Sequence, residues 1–335
     1  MERGEEQLNG KAGPVYVAGL ERSGTSLMFG LLASHPQIAM TRRTNLWKHF
    51  YRRFGDLGDP ANLDRCLDTM RRYKRLVILE LDWSRLRSDF RNGDPTYGRL
   101  FELLEEQYAR RLGRPRWGDK SLDTERHADA IFFAYPDARI LHMIRDPRDR
   151  YASSSVRWKV RRGGVGAGTA EWLSSVRLAR LNESRYPDRY RSVRYETLVS
   201  QPVAALREVC AFIDAEYTPA MLGMDGAPGF RDGGNSSYGR HDPGVISTAS
   251  VGRFRQVLSA RQIATIQLLA KDEMTSFGYE LQPLRLALGE RLGFALRDVP
   301  VESAHAIAWR TRETIRDRAG RPLPSYRLVD QRSAA

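Results

Sequence analysis

One stretch near the start of the chain constrains the fold more than any other. An apolar run that begins at Val15 leads into a turn containing Gly19 and Gly24, and an apolar segment over 27–32 follows with helical character. A strand, a glycine-bearing turn and a helix in this order aim backbone N–H groups at one point, which can bind an anion. The sequence therefore predicts a phosphate-binding loop at the end of a first strand.

This loop differs from the Walker A motif of nucleoside triphosphatases. That motif needs glycine, four residues and then Gly-Lys-Ser/Thr. Gly19 and Gly24 have the required spacing, but Thr25 stands where the lysine should be, and the cation lies inside the loop at Arg22. The pattern favours a phosphate site that does not hydrolyse ATP. A tight turn with a surface arginine is the alternative.

The length of 335 residues allows one large α/β domain or two smaller ones. Hydrophobic residues make up 41% of the chain, which indicates a globular core. No apolar run approaches the roughly 20 residues that cross a bilayer, and the polar start Met1–Lys11 is unlike a signal peptide. We therefore expect a cytoplasmic protein. Cys66 and Cys210 give neither a metal-binding spacing nor a disulfide framework.

The net charge is unusually positive. Lys and Arg number 54 against 41 Asp and Glu, which gives a formal charge of +13 and a pI of about 10.0. Such a charge suits nucleic acid, an anionic membrane or polyanionic small molecules. Because the cations are spread along the chain and mixed with acids, charge alone favours no single partner.

A second motif begins with the apolar run 140–144, which predicts a buried strand. Asp146 can cap the next helix, and Pro147 suits its first position. Arg145 then lies at the carboxyl end of the strand, and Ser153 follows eight residues later, about two helical turns on. Ligands of open parallel sheets bind at such strand ends. A helix-capping loop with surface arginines is the alternative.

The remaining periodicity predicts further elements. We expect helices over 62–76, 96–112, 169–186, 202–213 and 259–277, and a strand over 190–195. The first two of these helices interrupt the strand–helix alternation and are predicted to form a helical cover over the sheet. The glycine-rich segments 163–168 and 224–250 are predicted to be loops.

Residues 41–53 interleave cations with aromatic side chains. This pattern suits an anionic or sugar-like ligand, and a nucleic-acid surface has a similar composition. An amphipathic helix with Leu46, Trp47 and Phe50 turned to the core is the alternative. The sequence does not separate the two.

Together these elements predict an α/β fold, namely a P-loop-like parallel sheet flanked by helices, with a helical cover and a basic helical C-terminal extension. We assign 1–280 to the α/β domain and 281–335 to the extension, whose last residues are predicted to be frayed. In 281–320 leucines recur among arginines, so a helix there can contact anionic lipid. Packing of this helix on the domain is the alternative.

The motifs between 15 and 258, taken in their order, resemble sulfotransferases that use 3′-phosphoadenosine 5′-phosphosulfate (PAPS). They are similar to bacterial members with features of the tyrosylprotein branch. The resemblance implies that the loop binds the 5′-phosphosulfate through Arg22, Ser23, Gly24, Thr25, Ser26 and Leu27. It implies that the 3′-phosphate at the other end of the nucleotide is bound by Arg145, Ser153, Arg157, Gly252 and Arg253, and that Tyr195 lies at the nucleotide. Lys120, in the turn 119–121, is implied to help bind the transferring sulfonate together with Arg22.

The base that would accept the acceptor's proton is where the sequence departs from the family. The tyrosylprotein branch keeps a glutamate where Arg43 stands, and the cytosolic branch keeps a histidine where Leu122 stands. Asp123 is our leading candidate, and the other candidates are Asp119, Glu125, His127 and His49. The same departures argue against protein tyrosine as the acceptor.

The resemblance therefore predicts in-line transfer of a sulfonate from PAPS, without a metal ion, to a hydroxyl or amine of a small-molecule, lipid or saccharide acceptor. The product would be 3′,5′-bisphosphoadenosine, and no nucleic-acid partner is expected. Two other classes stay open. One is a P-loop kinase or nucleoside triphosphatase, which the missing Walker lysine disfavours. The other is a non-catalytic nucleic-acid-binding protein, which only the charge supports.

Overall fold

The computed structural model describes residues 12–158, 164–233, 242, 244–319, 323–324 and 327–329. The predicted polar N-terminus, part of the basic and glycine-rich segment around 160, and most of the predicted frayed tail lie outside the described residues.

A five-stranded sheet forms the centre of the described structure. Its strands are β1 Val15–Ala18, β2 Ile38–Arg42, β3 Arg116–Lys120, β4 Arg139–Ile144 and β5 Tyr190–Arg194. They lie in the order β2-β3-β1-β4-β5, and every neighbouring pair is parallel. The predicted parallel α/β sheet is confirmed. Because the strands are parallel, their carboxyl ends meet at one edge.

The inner strands β1 and β4 explain the uninterrupted apolar runs of the sequence. Every residue of β1 is buried, and in β4 only Arg139, its first residue, is partly exposed. Strands covered by helices on both faces need side chains of this kind at every position. The strand predicted over 140–144 is therefore confirmed, with one more residue at its start.

Two strands, β2 and β3, were not predicted. Thr41 lies in β2, and Asp119 and Lys120 end β3 rather than forming the turn predicted at 119–121. The charged residues of β3 hide its strand character, since the polar groups are satisfied by distant partners. Thr41 Oγ1 donates to Asp119 Oδ1 over 3.0 Å, and Arg116 donates to backbone carbonyls outside the sheet.

Helices cover both faces of the sheet. Those before residue 158 are α1 Thr25–Ala33, α2 Leu46–His49, α3 Pro60–Arg72, α4 Lys74–Val77, α5 Trp83–Arg91, α6 Tyr97–Arg111, α7 Ala128–Ala134 and α8 Pro147–Arg157. A 3₁₀ turn, Thr124–His127, precedes α7. The predicted helix over 96–112 is α6, and the one over 62–76 is divided into α3 and α4 at Tyr73.

The later helices are α9 Gly164–Arg185, α10 Tyr195–Ser200, α11 Pro202–Phe212, α12 Ala220–Gly223, α13 Pro228–Arg231, α14 Phe254–Val257, α15 Ala260–Ser276, α16 Leu288–Gly293 and α17 Val299–Ala319. The helices predicted over 202–213 and 259–277 are thus α11 and α15. A π-helical turn, Phe294–Asp298, joins α16 to α17 and ends two residues before Pro300. Proline has no backbone N–H to donate to the preceding turn, so regular α-helical hydrogen bonding is interrupted there. No described helix is both long and apolar enough to cross a membrane.

Two apolar layers hold the helices on the sheet. On one face α6 packs against β2 and β3, and α3 and α5 join the same apolar cluster through Leu67 and Leu86, so that these helices form the predicted helical cover. On the other face α1 and α11 pack through residues such as Leu31 and Leu206. Burial of this apolar surface is the main force that orders the sheet edge.

The basic–aromatic segment contributes to the first of these layers. Leu46, Trp47 and Phe50 are 3%, 6% and 0% exposed and belong to the core. The interpretation that these three residues face the core is therefore confirmed, although the helix they form, α2, is a single turn.

The glycine-rich segment is a correction to the sequence prediction. Residues 164–168 are not a loop but the first turns of α9, against which α17 packs. A Cβ on Gly166 would lie 1.8 Å from the backbone oxygen of Glu302, and Glu302 Oε2 accepts the Gly166 N–H over 2.7 Å. The glycines thus allow two helices to approach closely. A local pattern cannot reveal this, because the second helix lies far along the chain.

Candidate functional site

The loop after β1 follows left-handed backbone conformations. The φ angles of Gly19, Arg22 and Gly24 are 111°, 71° and 93°. A Cβ on Gly19 would lie 2.5 Å from the backbone oxygen of Met143, and one on Gly24 would lie 2.6 Å from Cδ2 of Tyr195. Both glycines are therefore required by close packing as well as by backbone conformation.

A cavity of about 390 Å³ opens at the carboxyl edge of the sheet, beside this loop. Its volume is in the range of small-molecule sites. Its polar lining consists of Glu21, Arg22, Gly24, Thr25, Ser26, Arg43, Lys120, Arg145, Ser153, Arg157, Tyr195, Arg231, Asp242, Gly244, Ser247 and Ser250. Its apolar lining consists of Leu27, Trp158, Val199, Met224, Phe230, Val245 and Ile246.

Each of the five strands leads into this cavity. The residues that line it just beyond β1, β2, β4 and β5 are Arg22, Arg43, Arg145 and Tyr195, and Lys120 is the last residue of β3. Four of these five side chains are basic. The parallel sheet thus gathers cations from distant parts of the chain at one point, as ligand sites of open α/β sheets do.

Most of the predicted binding residues line the cavity, but Ser23, Gly252 and Arg253 are not in its lining. Ser23 is buried and its N–H donates to the Leu20 carbonyl over 3.2 Å. The Gly252 N–H donates to Asp149 Oδ2 over 2.7 Å, which anchors the predicted late motif to α8. The structure therefore places this motif next to the site rather than inside it.

Arg145 is held rigidly at the end of β4. Its Nη1 donates to the Arg22 carbonyl over 3.0 Å, its Nη2 donates to the Ser250 carbonyl over 2.6 Å, and its guanidinium lies 4.5 Å from the centre of the Tyr195 ring. Trp172 Nε1 donates to its backbone carbonyl over 2.9 Å. Its Nε is buried, and no described group accepts a hydrogen bond from it.

Arg22 and Ser153 join the two motifs predicted from the sequence. Arg22 Nε donates to Ser153 Oγ over 3.0 Å, although 131 positions separate them. Arg22 comes from the loop after β1 and Ser153 from the middle of α8, and both line the cavity. The structure therefore brings the two predicted halves of the site together.

Lys120 is only 2% exposed, yet it lines the cavity. Burial lowers the pKa of its ammonium group to about 8, and the guanidinium groups of Arg43 and Arg42 act in the same direction. Glu21 and Asp119 act weakly in the opposite direction. An anion in the cavity would favour the charged form of this lysine, because an opposite charge offsets the cost of burial.

The leading candidate base, Asp123, is engaged elsewhere. Its Oδ2 lies 2.5 Å from Lys48 Nζ and its Oδ1 lies 3.7 Å from Arg126 Nε. It is not among the residues that line the cavity. Its assignment as the base stays a prediction.

The other four candidates are also outside the lining. Asp119 and Glu125 are buried carboxyl groups, and burial raises the pKa of both. His127 packs edge-on against an aromatic ring. His49 Nε2 lies 2.9 Å from the guanidinium of Arg327.

Four charged residues that the sequence did not assign to the site line the cavity, namely Glu21, Arg43, Arg231 and Asp242. Arg43 adopts a left-handed conformation, with φ at 61°, because its N–H donates to the Lys120 carbonyl and its own carbonyl accepts from Tyr73. Glu21 immediately precedes Arg22. Glu21 could therefore have been assigned to the site from the sequence, because it lies inside the predicted phosphate-binding loop.

Comparison with known proteins identifies the family. A family model described as "Sulfotransferase family" matches residues 14–219. The chain belongs to the sulfotransferase family. The resemblance predicted from the motifs is therefore confirmed.

Two relatives of the chain are sulfotransferases of different kinds. Protein-tyrosine sulfotransferase A of Caenorhabditis elegans is 24% identical over 227 residues, which cover 66% of this chain and 54% of the worm protein. Carbohydrate sulfotransferase 5 of Mus musculus is 33% identical over 104 residues, or 25% of this chain and 26% of the mouse protein. The chain thus spans about half the length of the worm relative.

Solved structures show the same fold. The sulfotransferase domain of the Synechococcus PCC 7002 olefin synthase superposes with a TM-score of 0.57 at 21% identity, covering 80% of this chain and 95% of that domain. The sulfotransferase domain of the curacin biosynthetic pathway gives 0.51 at 19% identity, with 81% and 99% covered. At these identities the similarity concerns the fold alone.

Proposed function

We propose that the protein transfers a sulfonate group from PAPS to a hydroxyl or amine of a small-molecule, lipid or saccharide acceptor. One observation carries the proposal. Four of the five strands lead to a cation in the cavity lining, and the cations come from opposite sides of the central loop. PAPS bears negative charge at two separated ends, so a two-sided array of cations is complementary to it.

Arg145 and Ser153 are proposed to bind the 3′-phosphate, with Arg157 and the Tyr195 ring beside them. The buried Nε of Arg145 supports this role. A buried donor without an acceptor is costly, and a phosphate oxygen would satisfy it. The planar guanidinium can also bind two phosphate oxygens at once.

The 5′-phosphosulfate is proposed to lie at the first turn of α1. Thr25, Ser26 and Leu27 line the cavity, and N–H groups of a first helical turn have no acceptor within their helix. Arg22 and Lys120 would stabilise the charge that develops on the bridging oxygen as its bond to sulfur breaks. The residues of this chain then act mainly by position and charge, as in phosphoryl transfer.

Glu21 is the proposed proton acceptor. It lines the cavity and interacts electrostatically with Lys120, whereas Asp123 is paired with Lys48. As the acceptor oxygen bonds to sulfur and 3′,5′-bisphosphoadenosine leaves, the acceptor's proton would pass to the Glu21 carboxylate. Glu21 would thus supply the negative charge that the family's glutamate supplies at the position of Arg43.

The acceptor is proposed to have an apolar part. Trp158, Met224 and Phe230 line the cavity beside the cations, and apolar walls of this kind bind ligand surface without hydrogen bonds. The names of the relatives point to tyrosine or carbohydrate acceptors. Protein tyrosine is the less favoured of these, because Arg43 occupies the position where the tyrosylprotein branch has its glutamate.

Thermal denaturation with two nucleotides tests the donor assignment. 3′,5′-Bisphosphoadenosine should raise the melting temperature without Mg²⁺, and adenosine 5′-monophosphate should raise it much less, because only the first occupies both anion sites. Equal shifts would contradict the roles of Arg145 and Ser153. Mg²⁺-dependent ATP hydrolysis would favour the nucleoside triphosphatase class instead. Transfer of labelled sulfate to a host extract, followed by mass spectrometry, would identify the acceptor.

A further inference from the structure

The helical segment 288–319, formed by α16, the π-helical turn and α17, exposes a row of large apolar side chains. Leu288, Leu292 and Leu296 are 76%, 54% and 77% exposed. Their spacing of four residues places them on one face of successive turns. Further along α17, Ile307 and Ile315 are 63% and 59% exposed. Such a row is unusual on a surface that contacts only water.

Four of the five acidic residues of this segment attach it to the rest of the protein, and the fifth, Glu290, is exposed and caps a helix of the segment itself. Asp298 Oδ2 lies 2.5 Å from Arg261 Nε, and Glu313 and Asp317 both pair with Arg126. Glu302 accepts the Gly166 N–H at the start of α9, and Glu290 accepts the N–H of Ala287 as a helix cap.

The arginines have the opposite arrangement. All seven arginines between 285 and 318 are exposed, and none makes an ion pair with a described carboxylate; they are Arg285, Arg291, Arg297, Arg310, Arg312, Arg316 and Arg318. The outer surface of the segment therefore combines seven arginines and several leucines with one acid, Glu290, while the other four acids contact the domain. We call this surface, residues 285–318 without the inward acids, the outer face.

We propose that the outer face binds the surface of an anionic lipid bilayer. Leucines can enter the boundary between headgroups and acyl chains, while the arginines contact lipid phosphates. The exposed leucines favour a lipid surface over nucleic acid as the partner, since aliphatic side chains do not contribute to the binding of phosphate groups. Segment 288–319 would lie in the plane of the interface.

Co-sedimentation with vesicles tests the proposal. The protein should bind vesicles that mix phosphatidylglycerol with phosphatidylcholine at least about 10-fold more tightly than vesicles of phosphatidylcholine alone, and added salt should weaken this binding. The triple variant Leu288→Gln, Leu292→Gln, Leu296→Gln should bind the mixed vesicles at least about 10-fold more weakly. Its three side chains are exposed, so its melting temperature should be unchanged.

The variant Phe133→Gln is the matched control. Phe133 is 90% exposed but lies on α7 and is not part of the outer face, so this variant should bind like the wild type. Equal vesicle binding by the triple variant and the wild type would overturn the proposal. The proposal would also be overturned if the protein bound duplex DNA and not the vesicles. It would equally be overturned if the wild type were a dimer and the triple variant a monomer, because the outer face would then bind a second copy of the chain. The assay needs no sulfonate donor, and its outcome is independent of the proposed reaction.

Discussion

Arg22 Nε lies 3.0 Å from Ser153 Oγ, so a hydrogen bond joins the loop after β1 to the middle of α8. This bond crosses the opening between the ends of β1 and β4. It links a residue proposed to serve the transferring sulfonate with one proposed to serve the 3′-phosphate. This hydrogen bond therefore connects the two ends of the proposed nucleotide site directly.

Arg145→Ala should selectively weaken binding of 3′,5′-bisphosphoadenosine. Loss of a hydrogen-bonded phosphate contact of about 2 kcal/mol corresponds to roughly 30-fold in Kd. Adenosine 5′-monophosphate, which lacks the 3′-phosphate, should bind with nearly unchanged affinity. Isothermal titration calorimetry measures both. Arg207→Ala, an exposed arginine on α11, is the control, and equal losses for the two nucleotides in Arg145→Ala would contradict the assignment.

Lys120 should make the affinity for the nucleotide depend on pH around pH 8, which is about the pKa of its ammonium group. Its pKa is lowered to about 8, and a bound anion favours the ammonium form. Affinity should therefore be highest below this pKa and fall as the pH rises through it, with uptake of about half a proton on binding near the pKa. Calorimetry in buffers of different ionisation enthalpy measures the uptake.

Lys120→Arg is the informative variant for this prediction. Its guanidinium stays charged, so proton uptake on binding should disappear while the decline of affinity with pH becomes shallow. If the wild type takes up no proton near pH 8, then the ammonium of Lys120 does not face the bound anion.

Glu21→Gln should reduce kcat by about 10²-fold or more, because removal of a general base has effects of this size. Binding of 3′,5′-bisphosphoadenosine should change little, since the glutamine keeps the shape of the side chain. Asp123→Asn should instead lower the melting temperature, because Lys48 loses its partner. Transfer of labelled sulfonate to the identified acceptor gives kcat. A larger loss of kcat in Asp123→Asn than in Glu21→Gln would restore Asp123 as the base.

Glu105 should make the folded protein less stable as the pH rises. Burial, together with the nearby Asp119 carboxylate, raises the pKa of Glu105 well above its ordinary value of 4.5. Above that value the unfolded chain binds fewer protons than the folded one, so the free energy of unfolding falls with pH. Urea denaturation at about pH 5 and about pH 8 measures this difference.

Glu105→Gln should reduce the fall in stability between these pH values, because the amide does not titrate. Glu106→Gln changes the adjacent, more exposed residue, which pairs with Arg110, and should leave the fall unchanged. The same fall in both variants would show that Glu105 does not hold its proton in the folded state.

Local signals in the sequence were sufficient for the loop after β1 and for β4 with α8. The apolar runs, Gly24, the Asp146 cap and Pro147 all act within a few residues of the elements they define. The side chain of Asp146 accepts from the Arg148 N–H, and Pro147 is the first helical residue, as the motif predicts. The positions of Arg145 and Ser153 follow from these elements.

Other features depend on partners far along the chain. The strand β3 is polar because Thr41 satisfies Asp119 from the neighbouring strand. The pairing of Asp123 with Lys48 separates our leading candidate base from the cavity, and no spacing rule predicts it. Glycine is needed at Gly166 in α9 because the backbone of Glu302 leaves no room for a Cβ there. Sequence patterns identify elements, whereas contacts of this kind require the fold.

The strand order β2-β3-β1-β4-β5 has a consequence for the location of the site. After β1 the chain crosses towards β2 and β3 on one side, and after β4 it crosses to β5 on the other. The two crossovers diverge, and a crevice must open between the ends of β1 and β4 at this topological switch point. The connectivity of the strands creates this crevice, and the side chains that line it determine only which ligand it binds. Even a variant that lacks the arginines of the lining would therefore keep a crevice between the ends of β1 and β4.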